Sequence, residues 1–507
     1  MRCLFILAHP RRESFCGALF DAMVQGARSA GVECRELILS ELAFDPDVHA
    51  HSPEHQSLEP GLAEAQAGIA WAEHIVFVYP TWWGTFPAKL KGMLDRTLTP
   101  GFAFRHHADG RWDQLLKGRT AELLTTMDTP PLVYRWIYRA PGHHALASAT
   151  LGYCGVRTVR RRIAGPVITS TLEERQRWIE RAQARGVQLG EGALSPGQRR
   201  RDRITAWLAA LRLQFYPMTW VAYTVGALAA AGPLSMTPYL LGYAALFLLE
   251  AATVFLNDWF DFESDRQNRN SGPFSGGSRV LVDGRIERPA LKRGIAGALL
   301  GTALLIAALA AAAPPGQLGA VAATYGVLAL LALAYTVPPL KLSHRGLGEL
   351  DVVLTHSAGV LLAGYVLQGG QLGDSLPWLL ALPLGIAILP SILLAGVPDR
   401  SADEAAGKRT LVVKLGLRAT LRLAMAATVL APATGLLLVL VRPELVPLLG
   451  WGVAGATLHA AWLWKRLRGL RAQDVLPDRI DGPIVVALTF MLWFCVPPLV
   501  SLMRSAA

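Results

Sequence analysis

Disulfide chemistry has little to work with in this chain. Its 507 residues include only five cysteines, Cys3, Cys16, Cys34, Cys154 and Cys495, with no C-x-x-C pair and no metal-ligand spacing. They read as core thiols of a reducing compartment, which excludes a disulfide frame. Leader chemistry is equally thin. MRCLFILAHPRRE runs apolar for six residues before His9, Pro10 and two arginines interrupt it, and no small-residue cleavage site follows; a buried first strand is expected instead. Acids are outnumbered, 38 against 49 Lys and Arg, for a net charge of +11. The bases form no single patch. Most of those in the second half flank apolar runs, which is the membrane-topology use of positive charge and points away from nucleic acid.

What is present changes in character along the chain. The first 190 residues or so have ordinary charge density, and the remainder is dominated by apolar runs of about 20 residues each. Between them, QLGEGALSPGQRRRDR combines Gly, Pro and Ser with a basic run. That is linker chemistry, and its arginines suit a cytoplasmic headgroup face. The expected division is residues 1–187, a linker 188–203, and residues 204–507.

In the first part, short apolar strands such as Leu4–Ala8 and Ile75–Tyr79 alternate with amphipathic helical segments, the pattern of a parallel sheet covered on both faces. Ligands of such sheets gather outside the carboxyl ends of the strands. Two distinctive loops fall there, HPRRESF and PTWWGTF. Ser14 stands where a helix start offers N–H groups to a phosphate. Trp82, Trp83 and Phe86 suit an apolar wall for a flat ring, although aromatics of this kind also serve as core. Taken together, HPRRESFCGAL, VYPTWWGTFPAKLKGMLDR and PGFAF resemble the flavin-dependent NAD(P)H:quinone oxidoreductases over most of residues 1–170. The resemblance implies a doubly wound, flavodoxin-like α/β fold, bound FAD or FMN, hydride from NAD(P)H, and a homodimer through the soluble domain. It places flavin contacts at His9, Ser14, Phe15, Pro80, Thr81, Trp82, Trp83 and Gly84, with Phe104 close by. Tyr134 and His143 are its candidates beside the nicotinamide, with Tyr134 open to being a surface aromatic. Met127 and Asp128 stand where members often carry a glycine pair.

The second part holds nine apolar segments, at 206–231, 237–256, 292–313, 316–338, 349–369, 377–397, 418–441, 446–464 and 482–503. Each is near the length that crosses a bilayer as a helix. Nearly all Lys and Arg of this half lie in the loops after segments 2, 4, 6 and 8. The positive-inside rule then expects a multi-pass protein of the inner, cytoplasmic membrane, with the soluble domain and the acidic loops on the cytoplasmic side.

Those loops carry the second chemistry. In NDWFDFESD, Asp258, Asp261 and Asp265 are spaced three and four apart, which stacks them on one helical face. Asp399 and Asp403 repeat the arrangement in PDRSADEAAGKRTL, beside Lys408 and Arg409. One such cluster is equally a solvated acidic helix end. Two at helix ends, with cations beside them, suggest a diphosphate held by Mg²⁺ and basic side chains. The same stretches, with SGPFSGGSRVLVDGRI and YTVPPLKLSHRGLGE, resemble the UbiA superfamily of intramembrane prenyltransferases, in particular the branch acting on dihydroxynaphthoate in menaquinone synthesis. The resemblance covers residues 204–507 and implies an all-α bundle of nine transmembrane helices, Mg²⁺ and a polyprenyl diphosphate substrate. Asn257, Asp258, Asp261, Asp265, Asp399 and Asp403 carry over as the metal and diphosphate set, with Lys341, Lys408, Arg409, Arg279 and Arg212 as diphosphate contacts. Ala395 replaces the Asn or Asp that many members place four residues before Asp399.

Glu250 lies two helical turns before Asn257 and reads either as a base or as a partner for Arg212; an intramembrane acid is a functional candidate. His356 and His459 read as helix-packing partners. A quinone is electron-poor and its hydroquinone electron-rich, so the joined halves suggest reduction of a quinone followed by its prenylation. The rivals are a carboxylated arene as acceptor with a separate quinone-pool reductase, or a flavoprotein regulating a membrane transporter.

Overall fold

The structure, a computed structural model, describes residues 1–107, 110–268, 270–313, 316–473 and 480–506. The chain divides into two compact units, Met1–Arg199 and Arg200–Ala507.

Among the described residues the first unit is built on seven strands, of which the first, third and sixth are buried along nearly their whole length. In chain order the seven are β1 (Arg2–Leu7), β2 (Glu33–Ile38), β3 (His74–Pro80), the hairpin β4 (Phe104–His106) and β5 (Trp112–Gln114), β6 (Thr120–Thr126) and β7 (Arg157–Ala164). Five of them form one parallel sheet in the order β2-β1-β3-β6-β7, with Cys3 opposite both Cys34 and His74. Helices α1 (Phe15–Ser29), α2 (Pro60–Trp71), α3 (Ala88–Thr97), the single turn α4 (Pro141–His144) and α5 (Leu172–Leu189) connect and cover the strands. Alternation along β1 sends Leu4 and Ile6 to a core with α2 and α3, and Phe5 and Leu7 to a core with α1 and α5. The strand order reverses between β1 and β3, so the loops after these two strands open a crevice. Under the sheet, Glu122 of β6 is almost fully buried and receives Arg185 Nε at 2.8 Å.

The second unit is helical. After α6 (Pro196–Leu211) come α7 (Tyr216–Ala229), α8 (Met236–Phe260), the short α9 (Phe262–Gln267), α10 (Arg288–Ala312), α11 (Leu318–Thr336) and α12 (Gly348–Leu354). A π-helical turn at Thr355–Gly359 joins α12 to α13 (Val360–Leu367), followed by α14 (Ser375–Ala395), α15 (Arg400–Ala405), α16 (Leu411–Leu415), α17 (Leu417–Val441), α18 (Val446–Arg471), α19 (Asp481–Phe490) and α20 (Val496–Ala506). Among the described residues, eight helical stretches are long and apolar enough to cross a membrane. The chain is a multi-pass membrane protein by that measure and by the family it matches below.

The expected first span, 206–231, is not one helix. It breaks between α6 and α7, where Arg212 takes a left-handed φ of 52°. Pro217 sits in the first turn of α7; it has no N–H for a continuing ladder and fits best where a helix restarts. The 14 residues of α7 are too few for a full crossing. The expected linker is also helical from Pro196 onward. Pro383, Pro390 and Pro432 lie inside α14 and α17, as membrane helices tolerate.

His459 and His356 bond within the bundle. His459 meets the Val486 carbonyl at 3.0 Å and Trp493 Nε1 at 3.1 Å, while His356 meets the Val352 carbonyl at 3.2 Å.

Truncating Arg185 leaves Glu122 buried beside the more distant Arg160, at 3.7 Å, and the His74 ring, at 3.9 Å. Arg185→Ala is expected to destabilise the first unit by about 3 to 5 kcal/mol, read as a lower denaturant midpoint in chemical unfolding.

Candidate functional site

In the first unit the side chains at the ends of β1, β3 and β6 are fixed by short local contacts. Ser14 caps α1, its Oγ accepting from Gly17 N at 3.1 Å, and Phe15 packs against Trp178. His9 Nδ1 accepts from Arg11 N at 3.0 Å, and its ring meets Trp82 edge-on at 6.1 Å. Burial, with Arg11 beside it, lowers the His9 pKa. Pro80 ends β3, and Thr81 N donates to Thr126 O at 2.7 Å while the buried Thr81 hydroxyl has no partner among the described residues. Trp82 and Thr85 exchange backbone bonds of 2.8 and 2.9 Å across Trp83 and Gly84, both left-handed at φ 49° and 77°. That is a type I′ turn, and it leaves Trp83 wholly exposed.

Tyr134 is buried rather than a surface aromatic, at 1% exposure. Its hydroxyl donates to Gly84 O and accepts from His143 N, both at 3.3 Å. His143 Nε2 lies 3.3 Å from Thr125 Oγ1. Burial, helped by Arg161 and Arg135, lowers the His143 pKa to about 4, so the imidazole is neutral at pH 7. Met127 is buried, and Asp128 accepts from Ile168 N at 2.8 Å, so both tie their loop to the segment after β7. Phe104 packs instead on His106 and Tyr153, at 5.2 Å each. Half-exposed Trp82, exposed Trp83, the unpartnered Thr81 hydroxyl and the start of α1 together fit a flat ring carrying a phosphate.

In the second unit the two acidic stretches meet. The ladder carries on from α8 into α9, Asp261 N donating to Asn257 O at 2.8 Å and Asp265 N to Asp261 O at 2.9 Å. The three aspartates therefore stay stacked. Lys408 Nζ lies 2.8 Å from Asp261 Oδ2 and 3.3 Å from Asp403 Oδ1, binding one stretch to the other. Ser264 Oγ donates to Asp403 at 3.2 Å, and Asn268 Nδ2 and Gly276 N donate to Asp399 at 2.7 and 2.9 Å. Ser278 donates to Asp258 through its backbone N–H at 3.0 Å and through its hydroxyl. Gly277, at φ 66°, passes so close to the Asp265 carboxyl that a Cβ would collide with it.

His344 was not singled out in the sequence, yet its Nε2 donates to Asp261 Oδ1 at 2.9 Å. Only its place in YTVPPLKLSHRGLGE signalled it. Lys341 reaches over the Phe260 ring at 5.8 Å from a left-handed backbone. Arg279 donates to the Asp265 and Asn268 carbonyls at 2.6 and 3.1 Å, which braces the acidic loop. Arg409 is exposed, its backbone N–H bonded to the His344 carbonyl at 3.0 Å. Asn257 is part-buried.

Charge is unevenly offset here. Burial alone would raise Asp261, but the His344 bond and the Lys408 ammonium hold its pKa below the usual range. Asp265 is pushed up to about 8, by burial first and then by the Asp261, Asp258 and Asp399 charges. Asp399 rises to about 6 through burial, with Asp403 adding to it. Lys408 is held charged by Asp261 and Asp403, which outweigh its burial. Among the described residues, no three His, Cys, Asp or Glu side chains are disposed to cage an ion by themselves. An all-oxygen donor set with surplus negative charge nonetheless fits Mg²⁺, which keeps waters and takes one or two carboxylates together with phosphate oxygens.

A family profile described as UbiA prenyltransferase family matches residues 217–478, and one described as Flavodoxin-like fold matches residues 1–185. An uncharacterized NAD(P)H oxidoreductase of Haemophilus influenzae is 31% identical over 189 residues, 36% of this chain and 92% of that protein. A ribosyldihydronicotinamide dehydrogenase-like protein of Penicillium crustosum is 31% identical over 153 residues, 25% of this chain; the chain spans 57% of that relative's length. The solved structure of a UbiA homolog from Archaeoglobus fulgidus, bound to GPP and Mg²⁺, is 14% identical, with a TM-score of 0.43 over 59% of this chain and 99% of that one.

The neutral His143 sets an acid limit. Its folded pKa, about 4, lies below the 6.5 of a free imidazole, so between those values the unfolded chain binds the extra proton and stability falls as pH drops. Denaturation of His143→Asn is expected to depend less steeply on pH between 6.5 and 4 than that of the parent.

Proposed function

Because the chain belongs to the UbiA prenyltransferase family, with a flavodoxin-like NAD(P)H:quinone oxidoreductase domain fused ahead of it over residues 1–185, we propose that it is a bifunctional membrane enzyme. It reduces a quinone with NAD(P)H through a flavin and transfers a prenyl group from a polyprenyl diphosphate to the resulting aromatic hydroquinone, in menaquinone-type quinone synthesis. The observation that carries the transferase half is the Lys408 bridge between Asp261 and Asp403, which gathers both acidic stretches into one mouth.

The chemistry follows from these residues. Lys408, Lys341 and Arg409 would supply positive charge for a diphosphate, and Asp258, Asp261, Asp265, Asp399 and Asp403, with Asn257 beside them, would hold Mg²⁺ through oxygen. When bound, the metal offsets the charge of the departing diphosphate. The allylic carbon loses its C–O bond electrons to that leaving group, and the surrounding apolar helices keep water from capturing it. The electron-rich ring then forms the C–C bond and releases a proton. His344 and Ser278 hold Asp261 and Asp258 in orientation, as outer partners of metal ligands do.

In the first unit His9, Ser14, Phe15, Pro80, Thr81, Trp82, Trp83 and Gly84 hold the flavin, with Phe104 at its margin. A bound flavin passes the reducing equivalents of NAD(P)H to the quinone. Tyr134 braces the Gly84 turn and His143 the end of β6, so both orient the nicotinamide side. We place the soluble unit and the acidic mouth on the cytoplasmic face of the inner membrane, with a homodimer formed through the soluble unit.

Purified protein given a quinone and a prenyl diphosphate should make prenylated product only when NAD(P)H is added; equal product without it removes the coupling. Asp258→Ala and Asp399→Ala should each abolish prenyl transfer while quinone reduction continues. His344→Ala should raise the Mg²⁺ concentration for half-maximal transfer by about 10- to 100-fold, measured by metal titration.

A further inference from the structure

Glu250 lies seven residues before Asn257, two turns up the same face of α8 and about 10 Å deeper in the bundle by helix rise. The expected pairing with Arg212 is absent. Arg212 acts on Asp399 and Asp258 at the mouth, and no described Lys, Arg or His forms an ion pair with Glu250. Its neighbours are hydroxyls instead. Thr219 of α7 faces it, and Tyr216, also of α7, lies near it and packs against Phe247 at 4.6 Å with the rings tilted. Thr219 and Tyr216 are 4% and 5% exposed, and no hydrogen bond of ordinary length reaches Thr219 Oγ1, the Tyr216 hydroxyl or Glu250 Oε2 within the described structure, although Thr219 Oγ1 and the Glu250 carboxyl face each other.

Three orphaned polar atoms inside a membrane bundle are costly unless something completes them. His459 and His356 are satisfied directly and locally, whereas Tyr325, Thr336 and Asp351 are buried elsewhere in the bundle, each with an oxygen unpartnered among the described residues; what sets Glu250, Thr219 and Tyr216 apart is that three such atoms face one another. What is missing is a molecule that donates to a carboxyl and accepts from hydroxyls. A hydroquinone has O–H groups that do both.

We propose that Glu250, Thr219 and Tyr216 form the subsite for the ring oxygens of the prenyl acceptor, and that they select an uncharged hydroquinone over an arene carboxylate. This rests on the prenyl-transfer reading and names its acceptor class. Glu250 accepts from a ring hydroxyl and the α7 hydroxyls serve the ring oxygens, orienting the ring toward the mouth. An arene carboxylate would set a second carboxyl against Glu250 with no cation between them, and two such groups cannot both ionise in an apolar site. A site built around a substrate hydroxyl also rejects analogues that leave its polar groups unpaired.

The test uses the full-length protein in lipid nanodiscs with saturating prenyl diphosphate and acceptors supplied already reduced, 1,4-dihydroxynaphthalene against 1,4-dihydroxy-2-naphthoate. The parent should favour the uncharged acceptor in kcat/KM. Glu250→Gln should lower that value by about ten-fold or more and shift the ratio toward the carboxylate, with KM for the prenyl diphosphate unchanged. Thr219→Val should raise KM for the uncharged acceptor without reversing the ratio, and it carries the test if the Gln variant does not fold. A parent preference for the carboxylate, or a ratio untouched by Glu250→Gln, overturns the subsite. Transfer to neither acceptor overturns the transferase reading, and the subsite with it.

Discussion

Lys408 is the contact that holds the membrane unit's acidic mouth together. Five carboxyl groups gather where α8 and α14 end, in surroundings that screen charge poorly. Without an ammonium between Asp261 and Asp403 the two acidic stretches would repel one another. With it they close into one site, and the loop around Gly277 and Ser278 folds over Asp265 and Asp258 from the other side. Repulsion is reduced rather than removed. Asp265, with its pKa near 8, marks where the surplus negative charge collects, and that surplus is what a divalent cation and a diphosphate with its own counter-charges would balance.

The flavodoxin-like unit makes a different compromise. Its central strands β1 and β3 are apolar and buried, so the candidate site residues lie in the loops beyond β1, β3 and β6. There the backbone accepts left-handed conformations at Trp83 and Gly84 to turn a tryptophan outward. Trp83 is out of place on a water-facing surface and well suited to covering a flat ring or a partner. On the proposed function, a reductase that supplies hydroquinone and a transferase that needs one share an electronic requirement, and joining them in one polypeptide would serve a reaction whose free hydroquinone reoxidises readily.

Much of this was legible in the residues. The alternating short strands and helices of 1–187, and the paired acids at 258–265 and 399–403, carry periodicities that survive folding, because each is local to one strand or one helix. The break in the first apolar segment is not legible. Hydropathy over 206–231 is continuous, and the restart at Pro217 is a backbone property that an average over apolar residues does not register. His344 escaped notice for another reason: a lone histidine after Pro-Pro has no spacing to any acid, and only the tertiary fold brings it to Asp261. The failed pairing of Glu250 with Arg212 shows the same limit. Both lie at suitable depth in sequence, yet the break that follows α6 swings Arg212 to the mouth.

Lys408 has one more consequence. An acid-lined pocket that needed its ion in order to close would be a folding staple, collapsing under a chelator as zinc-dependent domains do. Here a covalently attached cation already occupies the middle of the ring of acids. On the proposed function, the acidic mouth would hold its shape between cycles, and loss of the ion with each spent pyrophosphate would not pull the surrounding helices apart.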